Sequence, residues 1–321
     1  MKAVVFVGAG GNEVVRLEER PDPAPGTQDV LVRTRYAGLN PADVVQRAGH
    51  YPAPPGTPPD IPGLEVAGVV EACGEGVTAW RPGDRVFGLV GGGGLADLVA
   101  VHERCVTRVP ERLGEREAAG VPEAFITAHD AISVQANVRP GETLLVHGAS
   151  GGVGSAAVQV GVSLGARVLA VVRSEGAAAL VESLGAEAIP DDGFAGEVAE
   201  RGGADVILEL VGAPHFPGNL QALALKGRIV IVGVGAGQEI SLPLLVLMQK
   251  RALVRGTVLR ARPLEEKAQA VRAFEKEVVP ALASGRMKAL VDSVFPADEI
   301  TAAFDRLEGR GKAGKVLIEF A

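Results

Sequence analysis

The stretch Leu144-Leu145-Val146-His147-Gly148-Ala149-Ser150-Gly151-Gly152-Val153-Gly154 decides how this chain is read. Leu144–His147 is a short, continuous apolar run of the kind a buried strand needs. Val153–Leu164 carries its apolar residues at helical spacing and stops at Gly165. The glycines between them therefore form a turn from strand to helix. Counted from Ala149, the small residues fall as A-x-G-x-x-G, a dinucleotide fingerprint with alanine in place of its first glycine. The strand must turn sharply, the backbone must approach a pyrophosphate, and the helix must pack close to the sheet, so bulky residues are excluded. The pyrophosphate then rests on free N–H groups at the positive helix N-terminus. With 43 glycines in the chain, the same spacing could arise in a turn that binds nothing. Its place between a strand and a helix favours nucleotide binding, and Ser150, Gly151, Gly152, Val153 and Gly154 are the residues expected to do it.

Outward from this turn, strand and helix alternate. Arg167–Val172 reads as the next strand and Ala177–Leu184 as the next helix, closed by Gly185. Val206–Leu210, Arg228–Val232 and Leu253–Arg255 supply further strands. Short apolar strands alternating with helices predict a parallel sheet covered on both faces, an α/β architecture. At the end of the second strand an NAD binder usually carries Asp or Glu for the ribose hydroxyls, whereas this chain carries Arg173-Ser174. A guanidinium can form a forked, charge-assisted pair with a 2′-phosphate, so the expected cofactor is NADPH. The alternative is that Arg173 is only a solvated surface cation.

Before residue 120 the character differs. Val30–Arg33, Val66–Glu71, Arg85–Val90 and Asp97–Val101 are short β-rich runs separated by Pro/Gly clusters such as Pro52–Gly56, which predicts a loop-rich β domain. Toward the other end, Leu264–Ser284 reads as one long helix, and the chain beyond it returns to the first domain. The expected boundaries are 1–121 completed by 264–321, and 122–263. Two domains suit 321 residues.

Composition removes several function classes. A net charge of −7 with no Lys/Arg cluster argues against nucleic acid. Two cysteines, Cys73 and Cys105, allow neither a disulfide framework nor a four-cysteine metal site. The histidines His102, His129 and His147 are not spaced like metal ligands. The longest apolar stretch, Leu242–Met248, is far short of a membrane span, and the N-terminus lacks a signal-peptide pattern, so a cytoplasmic protein is expected. The same apolar stretch precedes the strand at the expected sheet edge, which predicts a homodimer formed by edge pairing.

Several short motifs together resemble a known family. They are Leu39-Asn40-Pro41-Ala42-Asp43 with Gln46-Arg47 and Gly49-His50-Tyr51, Gly63-Leu64-Glu65, Pro82-Gly83-Asp84-Arg85-Val86, and Pro122-Glu123-Ala124 with Thr127-Ala128. The Gly148–Gly154 turn, Gly256-Thr257-Val258-Leu259-Arg260 and Gly314-Lys315-Val316 complete the set. From end to end the chain resembles the quinone oxidoreductase branch of the medium-chain dehydrogenase/reductase superfamily, with its nearest look to the p53-inducible subgroup. The resemblance implies a GroES-like β domain joined to a Rossmann domain, with the active site in a cleft between them. Zinc-dependent relatives hold a catalytic metal with cysteine at the position of Asn40 and histidine at that of Leu64. Neither Asn nor Leu is a zinc ligand of the usual N/S type, so a zinc-independent enzyme is expected. What remains is hydride transfer from NADPH to an acceptor already poor in electrons, a quinone or an enone.

By the same resemblance Tyr51 lies beside the nicotinamide, and Asn40 and Asp43 line that region as candidate catalytic residues. Thr127 matches a contact to the nicotinamide amide. Val232–Gly235, including Gly233 and Val234, and Thr257–Leu259 match backbone contacts around it. Lys315 matches a cation facing the cleft. Blander readings stand beside these. Tyr51 precedes Pro52 and could pack a loop, and Asn40 could be a turn residue accepting backbone hydrogen bonds. Asp43 and Arg47, four apart on a helix, fit a simple ion pair. Glu65 and Asp84 are expected to hold the β domain together. Two other functions remain open, an enoyl-thioester reductase acting on a carrier-bound acyl chain and a cofactor-binding protein with little catalysis.

Overall fold

The computed structural model describes residues 1–320. Two compact units separate, one made of Met1–Ile126 and the chain from Leu259 onward, the other of Thr127–Val258. The joins fall a few residues from the expected 121/122 and 263/264. The first turn of helix Pro122–His129 is held in the first unit because the Glu65 carboxylate accepts the Glu123 N–H at 2.8 Å. On the far side, Arg260 is tied to the same unit through Gly91, Tyr51 and Gln46.

The second unit is a six-stranded sheet in the order Glu187–Pro190, Arg167–Val172, Thr143–Val146, Ala204–Glu209, Leu223–Ile231, Leu253–Gly256, with every pairing parallel. In chain order this is 3-2-1-4-5-6, the doubly wound arrangement whose switch point lies between Thr143–Val146 and Ala204–Glu209. The central strands read as unbroken apolar runs because both faces are covered, and Leu144, Leu145, Val146 and Ile207 are fully buried. Strand Glu187–Pro190 escaped the sequence reading. Only Ala188 and Ile189 are apolar in it, which is all that an edge strand with one neighbour needs. The other edge, Leu253–Gly256, pairs only with Leu223–Ile231. Beside it helix Leu244–Lys250 leaves Leu244, Leu245 and Met248 largely exposed.

In the first unit seven strands form a mostly antiparallel sheet. Its main path is Val291–Pro296, Lys315–Glu319, Asp29–Leu39, Glu65–Cys73, Arg85–Leu89, Val106–Arg108, and Leu98–His102 also pairs with Asp29–Leu39. A separate pair, Lys2–Phe6 with Val15–Glu19, packs its Val4, Val5 and Phe6 into the same core as Val30, Val66, Val86 and Phe304. The single long helix expected over 264–284 is two helices, Leu264–Glu277 and Val279–Ala283. Pro280 has no N–H to donate and crowds the carbonyl four residues earlier, so the helix breaks just ahead of it. Strand Lys315–Glu319 runs antiparallel to Asp29–Leu39 with Val316 opposite Leu39. That register delivers Lys315 to the start of the helix that follows Asn40.

Candidate functional site

In the first unit the motif residues assemble around one buried ion pair. Lys315 Nζ lies 2.5 Å from Glu65 Oε1, and both side chains are almost completely buried. The ammonium also donates to the Leu39 carbonyl at 3.0 Å and to Asn40 Oδ1. Its three protons are thus all used inside this unit, and Lys315 is a structural lock rather than a free cation. Glu65 is equally committed, since Asn40 Nδ2 donates to it at 3.0 Å and the Glu123 N–H at 2.8 Å. Asn40, read as a possible acceptor of backbone hydrogen bonds, instead bridges the lock with both ends of its amide.

Asp43 does not pair with Arg47. It stands at the third position of helix Pro41–Arg47, and its two oxygens accept the Asn40 N–H at 2.8 Å and the Gly63 N–H at 3.0 Å. A carboxylate placed there satisfies main-chain donors at the helix start, which outcompetes an ion pair one turn on. Arg47 turns away to Glu308, at 2.9 Å, and lies over the Phe304 ring. Glycine is the only residue type that suits position 63. The φ of Gly63 is +103°, and a Cβ there would stand 2.3 Å from the Leu95 nitrogen. Burial raises the Asp43 carboxyl to about 6 against those two backbone hydrogen bonds and the charges of Lys315 and Arg260.

Tyr51 is tied to Arg260. The Arg260 guanidinium lies over its ring, 4.8 Å from the centroid, and donates to the Tyr51 carbonyl at 3.2 Å. Arg260 is itself buried, with its other protons on the Gly91 carbonyl and Gln46 Oε1, at 2.8 and 2.5 Å. Burial raises the Tyr51 phenol, Arg260 works against that rise, and Glu123 adds to it. Sequence reasoning had taken Glu123 and Arg260 only as motif letters. Lying 58 and 209 positions from Glu65 and Tyr51, they gave no periodic signal that could have joined them to the site.

In the second unit the strand-to-helix turn is built as its spacing requires. Gly148 takes a φ of +58°. A Cβ on Gly154 would come within 2.2 Å of the Gly148 oxygen, so the third small residue is a steric necessity. Helix Gly152–Ser163 starts at Gly151 with no side-chain cap, so no capping side chain claims its first N–H groups, as an anion-binding turn demands. Thr127 Oγ1 is buried with no partner among the described residues, an orphan polar atom where the resemblance expects a nicotinamide amide contact. Gly233 allows equally close backbone approach, because a Cβ there would be 2.4 Å from the Leu210 oxygen. Val234 is exposed beside it, and the Thr257 N–H is used by the Ile231 carbonyl in the sheet. Leu259, expected beside Thr257, is buried in the first unit. After strand Arg167–Val172, Arg173 is exposed. The Ser174 hydroxyl accepts the Ala177 N–H at 3.3 Å as the cap of helix Glu175–Ser183, which leaves its own proton free. These features fit a bound nicotinamide dinucleotide.

His102, His129 and His147 do not come together, but His147 joins a cluster that linear spacing does not announce. His147, Glu209 and His215 bring potential ligand atoms within 4.8 Å of one another. Two neighbouring strands end beside His147 and at Glu209, and the short 3-10 turn Ala213–His215 adds the third residue, a grouping that linear spacing hides. Its hydrogen bonds nevertheless describe a structural network. Asn219 Nδ2 donates to Glu209 Oε2 at 2.6 Å, so Asn219 Oδ1 must accept from His147 Nε2, also at 2.6 Å. That nitrogen therefore carries a proton and has no lone pair for a metal. The His147 and His215 rings stack 4.3 Å apart, which keeps their in-plane lone pairs from converging.

The alcohol dehydrogenase GroES-like domain family matches residues 26–111, and the zinc-binding dehydrogenase family matches residues 152–276. Over 327 residues the chain is 32% identical to a quinone oxidoreductase of Rattus norvegicus, covering 99% of this chain and 97% of that one. It is 31% identical to an acryloyl-coenzyme A reductase of Metallosphaera sedula, covering 99% of each. The solved quinone oxidoreductase of Thermus thermophilus, a structure also determined with NADPH, superimposes with a TM-score of 0.87 at 37% identity over the whole of both chains. The chain belongs to the quinone oxidoreductase family of medium-chain dehydrogenases/reductases.

Proposed function

We propose that this protein is a zinc-independent, NADPH-dependent reductase of quinones or activated alkenes. The observation that carries the reading is the fate of the site around Asn40. Where zinc-dependent relatives have metal ligands, this chain has an amide locked between Glu65 and Lys315 and an apolar Leu64 that is buried. Without a Lewis acid to polarise an alcohol or aldehyde, the acceptor must bring its own electron deficiency. The bound dihydronicotinamide supplies the hydride. The chain's own contribution is to seat the pyrophosphate on Ser150–Gly154, to offer Thr127 Oγ1 to the carboxamide, and to present Tyr51 to the acceptor. The exposed Arg173, with no acidic residue in its place, supports NADPH over NADH.

The test is a panel assay following NADPH absorbance with quinones, enones and crotonyl thioesters. Turnover of quinones or enones supports the proposal. Preference for the thioester would favour the enoyl-thioester alternative, which likeness to the acryloyl-coenzyme A reductase motivates. Tight NADPH binding with no acceptor consumed would leave a binding protein with little catalysis. About one zinc per chain after dialysis against chelator would refute zinc independence. A cytoplasmic location fits the lack of any helix long and apolar enough to cross a membrane among the described residues. We also propose a homodimer joined along strand Leu253–Gly256. The exposed Leu244, Leu245 and Met248 beside an edge paired on one side motivate it, and light scattering that reports a monomer would refute it.

A further inference from the structure

Beside Arg173 the second unit carries a carboxylate that would oppose a 2′-phosphate. Strand Glu187–Pro190 pairs with Arg167–Val172 so that Pro190 lies opposite Val172, and the Asp191 N–H donates to the Val172 carbonyl at 3.0 Å. Asp191 thus stands next to Arg173 at the same end of the sheet. Yet the two do not pair, and the exposed Arg173 forms no ion pair among the described residues. Asp191 Oδ1 lies 3.0 Å from His215 Nε2 instead.

His215 reaches Asp191 from the turn Ala213–His215, which follows strand Ala204–Glu209. Its other nitrogen, Nδ1, is buried without a hydrogen bond and lies 3.8 Å from Glu209 Oε1. A neutral imidazole has one N–H for these two carboxylates, so one of them would face a bare lone pair. The imidazolium offers a proton to each. Asp191 and Glu209 are the charged groups that face the ring, while His147 stacks on it at 4.3 Å and Phe194 packs edge-on at 5.6 Å. Glu209 raises His215 above its ordinary value against burial, and Asp191 adds to the rise. Burial keeps His147 below its own ordinary value, so the stacked ring does not compete for the charge. Glu209 has other donors, the Val211 and Gly212 N–H groups and Asn219 Nδ2. For the Asp191 side chain, His215 is the only partner among the described residues.

We propose that His215 sets cofactor preference by neutralising Asp191 beside Arg173, so that NADPH is favoured over NADH while His215 is protonated. This deepens the NADPH reading above and rests on it. With the imidazolium in place, Arg173 is free for the phosphate. When His215 loses its proton, Asp191 becomes an uncompensated negative charge that repels the phosphate and competes for the guanidinium. NADH carries no charge there, so its binding should barely move. His215 is a positioning residue that acts through Asp191.

The experiment titrates the full chain with NADPH and with NADH by fluorescence across the histidine range, at low salt because exposed charges are easily screened. The ratio of NADPH to NADH affinity should fall about 3- to 10-fold as His215 loses its proton, the worth of one nearby charge in a largely aqueous setting. The 2′-phosphate itself titrates near about pH 6, a contribution that every variant shares. Asp191→Asn should abolish the rest of the fall. His215→Gln should hold the ratio at its alkaline value at every pH and change nothing in the Asp191→Asn background. Magnetic resonance of the ¹⁵N-histidine-labelled chain should show His215 titrating above about 6.5 and moving toward that value in Asp191→Asn. The same pH dependence in Asp191→Asn as in the unsubstituted chain would overturn the inference. So would a His215→Gln effect that survives in the double variant. Equal affinity for both cofactors at every pH would overturn the NADPH reading itself, an outcome distinct from a preference for NADPH that is indifferent to His215.

Discussion

Replacing Lys315 by methionine should cost the first unit about 3–5 kcal/mol, because it leaves the Glu65 carboxylate buried without its partner. Methionine keeps the length of the stem, which runs beside Gly120, so the loss is that of the charge. Glu65 would retain Asn40 Nδ2 and the Glu123 N–H, while the Leu39 carbonyl and Asn40 Oδ1 would each lose a donor. For a unit of this size each kcal/mol moves the midpoint by about 2–4 °C, so the transition should fall by about 6–20 °C. Urea unfolding and calorimetry of Lys315→Met, Glu65→Gln and the double variant measure it. The double variant should recover much of the loss, giving a coupling of at least about 2 kcal/mol. A loss under about 1 kcal/mol for Lys315→Met, or strictly additive single effects, would refute the claim that the pair is a lock.

Three further outcomes follow from the site. Arg173→Ala should weaken NADPH about 10- to 150-fold, the value of one charge-assisted hydrogen bond, with little change for NADH, as fluorescence titration of both cofactors will show. Tyr51→Phe should slow quinone turnover by only about 2- to 13-fold, the loss of one neutral hydrogen bond, and slow enone turnover by more. A steady-state loss above about 100-fold with quinones would make the phenol a proton donor there too. The third is a pH dependence of stability. Glu123 is raised from 4.5 to about 8, so the folded chain holds a proton there that the unfolded chain has lost. The stabilisation is complete below about pH 4.5 and is lost as pH rises through about 8, at up to about 1.4 kcal/mol per pH unit. Urea unfolding across that range should therefore show Glu123→Gln flattening the profile, leaving the Asp43 contribution, which ends near about pH 6.

The parts of this molecule that local chemistry dictates could be read from the residues. The Leu144–Gly154 turn, the apolar strands beside it and the Arg173 position follow from period, glycine placement and charge within a few residues of one another. The break ahead of Pro280 was not read, because helical periodicity on both sides of it concealed the interruption. What could not be read was pairing over distance. Asp43 and Arg47 looked like partners because they are one turn apart, yet the Gly63 N–H, twenty residues away, claims Asp43. Lys315 was read from the resemblance as a cation facing the cleft, and nothing in its neighbourhood in sequence points to Glu65. The sheet register that sets it against Glu65 is a property of the folded chain. His147 and Glu209 met for the same reason, at the ends of strands that the 3-2-1-4-5-6 order sets side by side, with His215 joining from the turn Ala213–His215.

The pairing of Lys315–Glu319 with Asp29–Leu39 also bears on how the chain is made. On a ribosome, residues 127–258 emerge whole and can form their parallel sheet before residue 315 exists. The Tyr36–Leu39 end of strand Asp29–Leu39, by contrast, must wait with one side unmatched until Lys315–Glu319 has been made, although its Asp29–Arg33 half can pair early with Leu98–His102. The Glu65 carboxylate waits with it, unable to be buried until its ammonium partner arrives. A strand made before the parallel sheet is thus among the last to reach its final state, and its open end is a surface in need of protection in the nascent protein.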